Sequence, residues 1–103
     1  MPRPKKNRKI CFNPKSNYFK PRGIPLVELD NILLEPDEVE AIRLADKLML
    51  SHEKSAKKMQ ISRATFGRIV NTARKKIADA IIDGKAIEIK KIKEKNENSS
   101  SNR

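Results

Sequence analysis

The sequence predicts an all-α helix-turn-helix domain with a basic, mostly extended N-terminal arm and a small strand pair. Three observations predict it. An apolar stripe with helical spacing runs through Phe66, Ile69, Val70, Ala73, Ile77, Ala80 and Ile81, the mark of the core-facing side of one long helix. Just before it, Ala56, Met59 and Ile61 stand at the spacings that let a short helix cross a longer one. Charge is also segregated. Residues 1–22 hold eight Lys/Arg and no acid, residues 23–50 two basic and seven acidic side chains, and residues 51–95 thirteen basic and five acidic ones. Two basic blocks around an acidic one make a basic face that attracts phosphate backbones through counterion release.

The elements follow in order, as an arm over 1–24, a helix-turn-helix domain over 25–89 and a disordered polar tail over 90–103. In the arm, Pro2, Pro4, Pro14 and Pro21 exclude a long helix, and Lys9–Phe12 (KICF) reads as a short strand. Ile24–Leu34 is apolar and acidic by turns, with Leu26, Leu29, Ile32 and Leu33 expected inward and a short helix starting at Pro25. Glu35-Pro36-Asp37-Glu38 opens a firmer helix, since Pro suits the first helical position and acids suit the positive end of the helix dipole. Val39, Ile42 and Ala45 fall on one face of it, widened by Ala41, Leu44 and Leu48, and it ends around Lys47. Leu48-Met49-Leu50 leads to Ser51, an N-cap with Glu53 in the first turn behind it. The second helix spans about His52 to Met59. Gln60-Ile61 turns the chain, Ser62 caps the third helix, and Gly84 stops that helix after about Ile82. Ala86–Ile89 alternates like a short strand and pairs with the arm. The tail is Asn/Ser-rich, a composition that buries too little apolar surface to order itself.

Several function classes are excluded by what is missing. No apolar run approaches the ~18 residues of a membrane span, and the basic N-terminus is followed by no apolar segment of a secretory signal. The single Cys11 cannot form an intramolecular disulfide, and one Cys with one His cannot build a metal site of the usual spacing. A reducing cytoplasm is therefore the expected location, and no cofactor is expected. There is no Gly-rich phosphate loop and no nucleophile with a base at recognisable spacing. Asp37, Glu38 and Glu40 are sufficiently explained as helix-start acids, so enzymatic activity is not expected.

What the sequence does offer is a surface for double-stranded DNA. Arg63, Thr65 and Arg68 point outward near the start of the third helix, the end that reaches base edges when such a helix enters the major groove. An Arg can hold guanine O6 and N7 with two hydrogen bonds, discriminating by ~1–3 kcal/mol. Ser62 at that helix start, with Lys57, Lys58, Asn71, Thr72 and Lys75, is expected to hold phosphates. The neighbouring Arg74 and Lys76 share that expectation or are simply solvated. Arg3, Lys5, Lys6, Arg8 and Lys9 of the arm would track the backbone or enter the minor groove. Two residues stand out as irregular. Gln60 occupies the turn position where Gly is usual, at a strain of about 1 kcal/mol if it is left-handed. Gly67 costs roughly 0.5–1 kcal/mol against Ala inside a helix, so either a DNA backbone approaches closely there or a neighbouring helix packs on it. Tyr18 and Phe19 would fill the core beside Leu26 and Leu29, or stack on unpaired bases. His52 reads as a surface residue, and Cys11 as buried in the strand pair.

The chain also resembles a known family. The residues that carry the likeness are Met1-Pro2-Arg3-Pro4-Lys5, Ile10-Cys11-Phe12 with Tyr18-Phe19-Lys20-Pro21, Glu40-Ala41-Ile42-Arg43-Leu44-Ala45-Asp46, Ile61-Ser62-Arg63-Ala64-Thr65-Phe66-Gly67-Arg68-Ile69, Ala78-Asp79-Ala80 and Gly84-Lys85-Ala86. In these it resembles the small bacterial and archaeal proteins of uncharacterised protein family 0251. The resemblance implies a helix-turn-helix similar to region 4 of bacterial sigma factors and predicted DNA binding, and it implies no particular target or effector.

The function these residues point to is sequence-specific binding of duplex DNA in transcriptional regulation, with a homodimer as one way to match a palindromic site. Two alternatives stay open. One is an RNA-binding or ribosome-associated module led by the arm with Tyr18 and Phe19. The other is an adaptor of the transcription machinery that uses the acidic stretch from Glu28 to Glu40 to engage a partner such as RNA polymerase.

Overall fold

Polar caps at the helix starts and left-handed residues at the stops divide the central chain into three helices. The structure is a computed structural model that describes residues 9–10 and 17–90. Helix α1 spans Pro36–Ile42 and opens with a capping box in which Glu38 accepts the Glu35 N–H at 2.9 Å. It continues as a wider π turn over Arg43–Lys47, so the helical path ends at Lys47, as the sequence predicts. Met49 then takes a left-handed φ of 60°, a bend that the sequence reading did not foresee. Helix α2 spans His52–Met59, and its N-cap Ser51 accepts the Lys54 N–H at 3.1 Å. Helix α3 spans Arg63–Asp83, with Ser62 accepting the Thr65 N–H at 3.0 Å. Both later stops are left-handed, at Gln60 and at Gly84.

The turn between α2 and α3 is a Schellman motif built on Gln60. The Ile61 N–H reaches the Ala56 carbonyl at 3.0 Å and the Gln60 N–H reaches the Lys57 carbonyl at 3.1 Å, which satisfies two carbonyls that a helix end leaves open. Gln60 holds φ 60° and ψ 45°, a conformation that crowds any Cβ. Gln60→Gly should therefore raise unfolding stability by about 0.5–1 kcal/mol, the relief of strain outweighing the extra freedom of the unfolded chain. A urea midpoint at or below that of the unaltered chain would contradict this account of the turn.

The strands form a mixed sheet in the order β1-β3-β2, with β1 at Tyr18–Phe19, β2 at Asn31–Leu34 and β3 at Ala86–Ile89. Strand β1 pairs antiparallel with β3, Tyr18 opposite Glu88. Strand β2 runs parallel to β3, from Asn31 opposite Ala86 to Leu34 opposite Ile89. Parallel neighbours need a long crossover, and here the crossover contains all three helices. The fold is thus predominantly helical with a small three-stranded sheet, which corrects the expectation of an all-α domain with a strand pair.

Other expectations need correction too. The arm does pair with β3, but through Tyr18–Phe19. Lys9 and Ile10 lie in no strand, and the rest of the KICF segment, with Cys11, lies outside the described residues. The helix expected at Pro25 is one 3-10 turn over Leu26–Glu28. Leu33 is exposed while Leu34 is buried, because a strand turns alternate residues to opposite faces, and Leu26, in the 3-10 turn, is exposed as well.

The core gathers Leu44, Met59, Phe66 and Val70 with Ala41, Ala45 and Ala56, and Ile42, Leu50, Ile61 and Ile69 pack against them. Ala56 supplies the small residue that lets α2 cross α3 closely. Ala80, Ala86, Ile89 and Leu34 are buried where α3 meets the sheet. Four further side chains differ from their expected places. Ile81 is 70% exposed, because the inward face of α3 runs out at Ala80. Tyr18 and Phe19 are 39% and 54% exposed and do not fill a core with Leu26 and Leu29. His52 is half-buried, its ring set edge-on to Phe66 at 5.2 Å.

Candidate nucleic-acid interface

The first two turns of helix α3 set Phe66 and Val70 into the core and leave Arg63 and Arg68 exposed, and a chain of hydroxyls organises their outer side. Ser62 Oγ accepts the Thr65 N–H and donates to Thr65 Oγ1 at 2.9 Å, and Arg68 Nη2 donates to the same oxygen at 3.3 Å. Thr65 Oγ1 thus accepts from both neighbours. Three predicted site residues are thereby brought together, Ser62, Thr65 and Arg68, and the Arg68 guanidinium is held near the helix start. Arg63 is exposed on the same two turns.

The basic side chains of the helix pair fall into two sets. Arg63, Arg68, Lys57 and Lys58 are exposed and have no acidic partner among the described residues. Further along α3 the cations are occupied. Arg74 grips Asp46 with two bonds of 2.8 and 3.1 Å, and that hydrogen bonding, more than the neighbouring charge, raises its pKa above the ordinary arginine value against a smaller effect of burial. Lys75 bonds both Asp79 oxygens at 2.7 and 2.9 Å, and this hydrogen bonding and then the carboxylate's charge raise its pKa. Lys76 reaches Glu38 and the Leu33 carbonyl, each at 2.8 Å. Arg74 and Lys76 therefore tie α3 to the α1 segment and to β2. Lys75 sits in an exposed i,i+4 pair, which contributes little to stability but places a carboxylate where a phosphate oxygen would have to come.

Asn71 and Thr72 are exposed one turn beyond Arg68. Among the described residues a Cβ built on Gly67 would meet nothing within 4 Å, so none of the described helices packs there and one of the two readings of this glycine falls away. Lys9 donates its backbone N–H to the Met59 carbonyl at 3.1 Å, which brings the arm to the end of α2, next to the Gln60 turn. Arg3, Lys5, Lys6 and Arg8 lie outside the described residues.

Sequence reasoning missed the acidic partners of the α3 cations. Lys75 and Asp79 stand four apart, a spacing that brings side chains together on any helix, so that pair could have been found. Asp46 and Arg74 are 28 residues apart and become neighbours only once α1 and α3 pack. Among the described residues no group of three or more His, Cys, Asp or Glu could hold a metal, and no helix is long and apolar enough to cross a membrane.

The chain is similar in sequence to known proteins over most of its length. The model of a family described as protein of unknown function DUF134 matches residues 1–96. The chain is 53% identical over 89 residues to a UPF0251 protein of Desulfosudis oleivorans, covering 86% of this chain and 64% of that protein. It is 51% identical to one of Moorella thermoacetica, covering 86% and 60%, and 48% identical to one of Thermoanaerobacter pseudethanolicus, covering 86% and 75%. The chain thus spans less than two thirds of the length of the first two. No solved structure matches it.

Proposed function

The chain belongs to the DUF134 family, and because that membership names no activity we propose its function from the geometry: sequence-specific binding of double-stranded DNA in transcriptional regulation. In this reading α2, the Gln60 turn and α3 form a helix-turn-helix of the sigma region 4 type. The observation that carries it is the division of the α3 cations. Those of the later turns are tied to acids, whereas Arg63 and Arg68, exposed on the first two turns, have no such partner among the described residues. That end would enter the major groove, with Arg63, Thr65 and Arg68 at base edges. Ser62, Lys57, Lys58, Asn71 and Thr72 would hold phosphates on either side, and Lys75 would do so by exchanging Asp79 for a phosphate oxygen. The arm, brought to the turn through Lys9, would follow the backbone. Binding rather than catalysis is the proposed activity, with a homodimer and contact to RNA polymerase as its proposed assemblies.

A second reading, binding of single-stranded RNA, is favoured by the exposure of Tyr18 and Phe19 at the sheet edge, since exposed aromatics can stack on bases. Selection of bound fragments from a random duplex library, followed by competition with single-stranded RNA, separates the two. The proposal expects a defined duplex motif that RNA does not displace. Enrichment of no motif, with RNA the stronger competitor, would favour the second reading. No nucleic-acid affinity at low salt would leave the adaptor role.

A further inference from the structure

A glycine inside a helix normally answers to a need of the fold, and at Gly67 the structure removes each such need. Its φ is not positive, unlike those of Gly23 and Gly84, so no left-handed bend demands it. It is the fifth residue of the 21-residue helix α3, far from the stop at Gly84. Gly67 is half-buried, yet among the described residues nothing lies within 4 Å of where its Cβ would stand, so a methyl there would displace none of them. A residue unfavourable for helix formation thus occupies a position where the described fold has room for alanine.

What surrounds Gly67 indicates an external reason. At about 100° per residue, Arg63, Ala64, Gly67, Arg68 and Asn71 share one side of α3, with Gly67 near its middle. Arg63, Ala64, Arg68 and Asn71 are all exposed. The face is therefore a shallow notch floored by Ala64 and Gly67, with one guanidinium on either side of it and an amide one turn further on. We propose that Gly67 is the point of closest approach to the duplex, and that its notch admits the major-groove edge of a base pair between Arg63 and Arg68. This rests on the DNA-binding reading above and deepens it. The depth of insertion would set whether either Arg reaches a base edge at all, so Gly67 would govern specificity without making a hydrogen bond of its own.

The test uses Gly67→Ala and Gly67→Leu in the full chain, titrated against a duplex selected by the unaltered protein and against a scrambled duplex. Both residues favour helix over Gly, so the urea midpoint should stay level or rise, and that measurement separates lost binding from misfolding. Affinity for the selected duplex should fall about tenfold for Ala and a hundredfold or more for Leu, while affinity for the scrambled duplex, held by phosphate contacts, should stay within about twofold. Both variants keeping full affinity for the selected duplex would overturn the notch and leave the DNA-binding reading intact. An unaltered chain that shows no preference between the duplexes would instead overturn that reading, and the notch with it.

Discussion

Phe66→Ala is expected to lower unfolding stability by about 3–5 kcal/mol, the largest effect of any single change in this chain. Phe66 is fully buried, and it heads the core shared by α1, α2 and α3. Its loss would open a cavity against Leu44, Met59 and Val70 and would strip His52 of the ring it packs on edge-to-face. Small domains are stable by only about 5–15 kcal/mol in total, so the variant would be partly unfolded near room temperature. A urea titration followed by circular dichroism would show it as a midpoint shifted far to the left. A loss below about 1 kcal/mol would mean that the helix pair does not depend on this contact. Nucleic-acid binding should fall in step with the folded fraction, because the first turn of α3 that carries Arg63 and Thr65 is seated by Phe66.

The helices were legible in the sequence because each signal was local. Ser51, Ser62 and the Pro36 start are read from one or two neighbours, and the stripe Phe66, Val70, Ala73, Ala80 repeats with the helix period. Even the awkward residue Gln60 could be located by its place in the pattern, four positions after Ala56. The sheet was not legible in the same way. Strand β2 is four residues long, with Ile32, Leu33 and Leu34 in one apolar run, so no alternation marks it, and its partner β3 lies beyond all three helices. Strand pairing at such separation depends on what the helices between have already packed.

The candidate site shows the same split. Arg63, Thr65 and Arg68 are marked by helix position alone, and the structure adds the Ser62 relay that holds two of them together. The occupied state of Arg74 and Lys76 is a tertiary fact: each pairs with an acid on the α1 segment and looks, in sequence, like any other member of the basic run 74–76. Ile81 makes the converse point. It continues the apolar composition of the stripe, but it faces an open cavity shared with Phe19, Pro21 and Ile87 and stays exposed.

Arg68→Ala and Lys58→Ala are expected to weaken binding in different ways, and the difference tests the assignment of roles on this surface. Arg68 is held by Thr65 in the second turn of α3, where a guanidinium can present two parallel donors to one guanine. Removing it should cost about 1–3 kcal/mol on the selected duplex, roughly 5- to 150-fold in affinity, and should change little on a scrambled one. Lys58 is exposed on α2 and would meet a phosphate as a point charge. Its removal should weaken selected and scrambled duplexes alike, and should reduce the slope of log affinity against log salt by about 1. Arg68→Lys sharpens the comparison, since it keeps the charge and loses the fork: it should retain the salt slope but lose the preference. If Arg68→Ala lowers both duplexes equally while Arg68→Lys restores both, the residue is a phosphate contact and the reading of bases must lie elsewhere on α3.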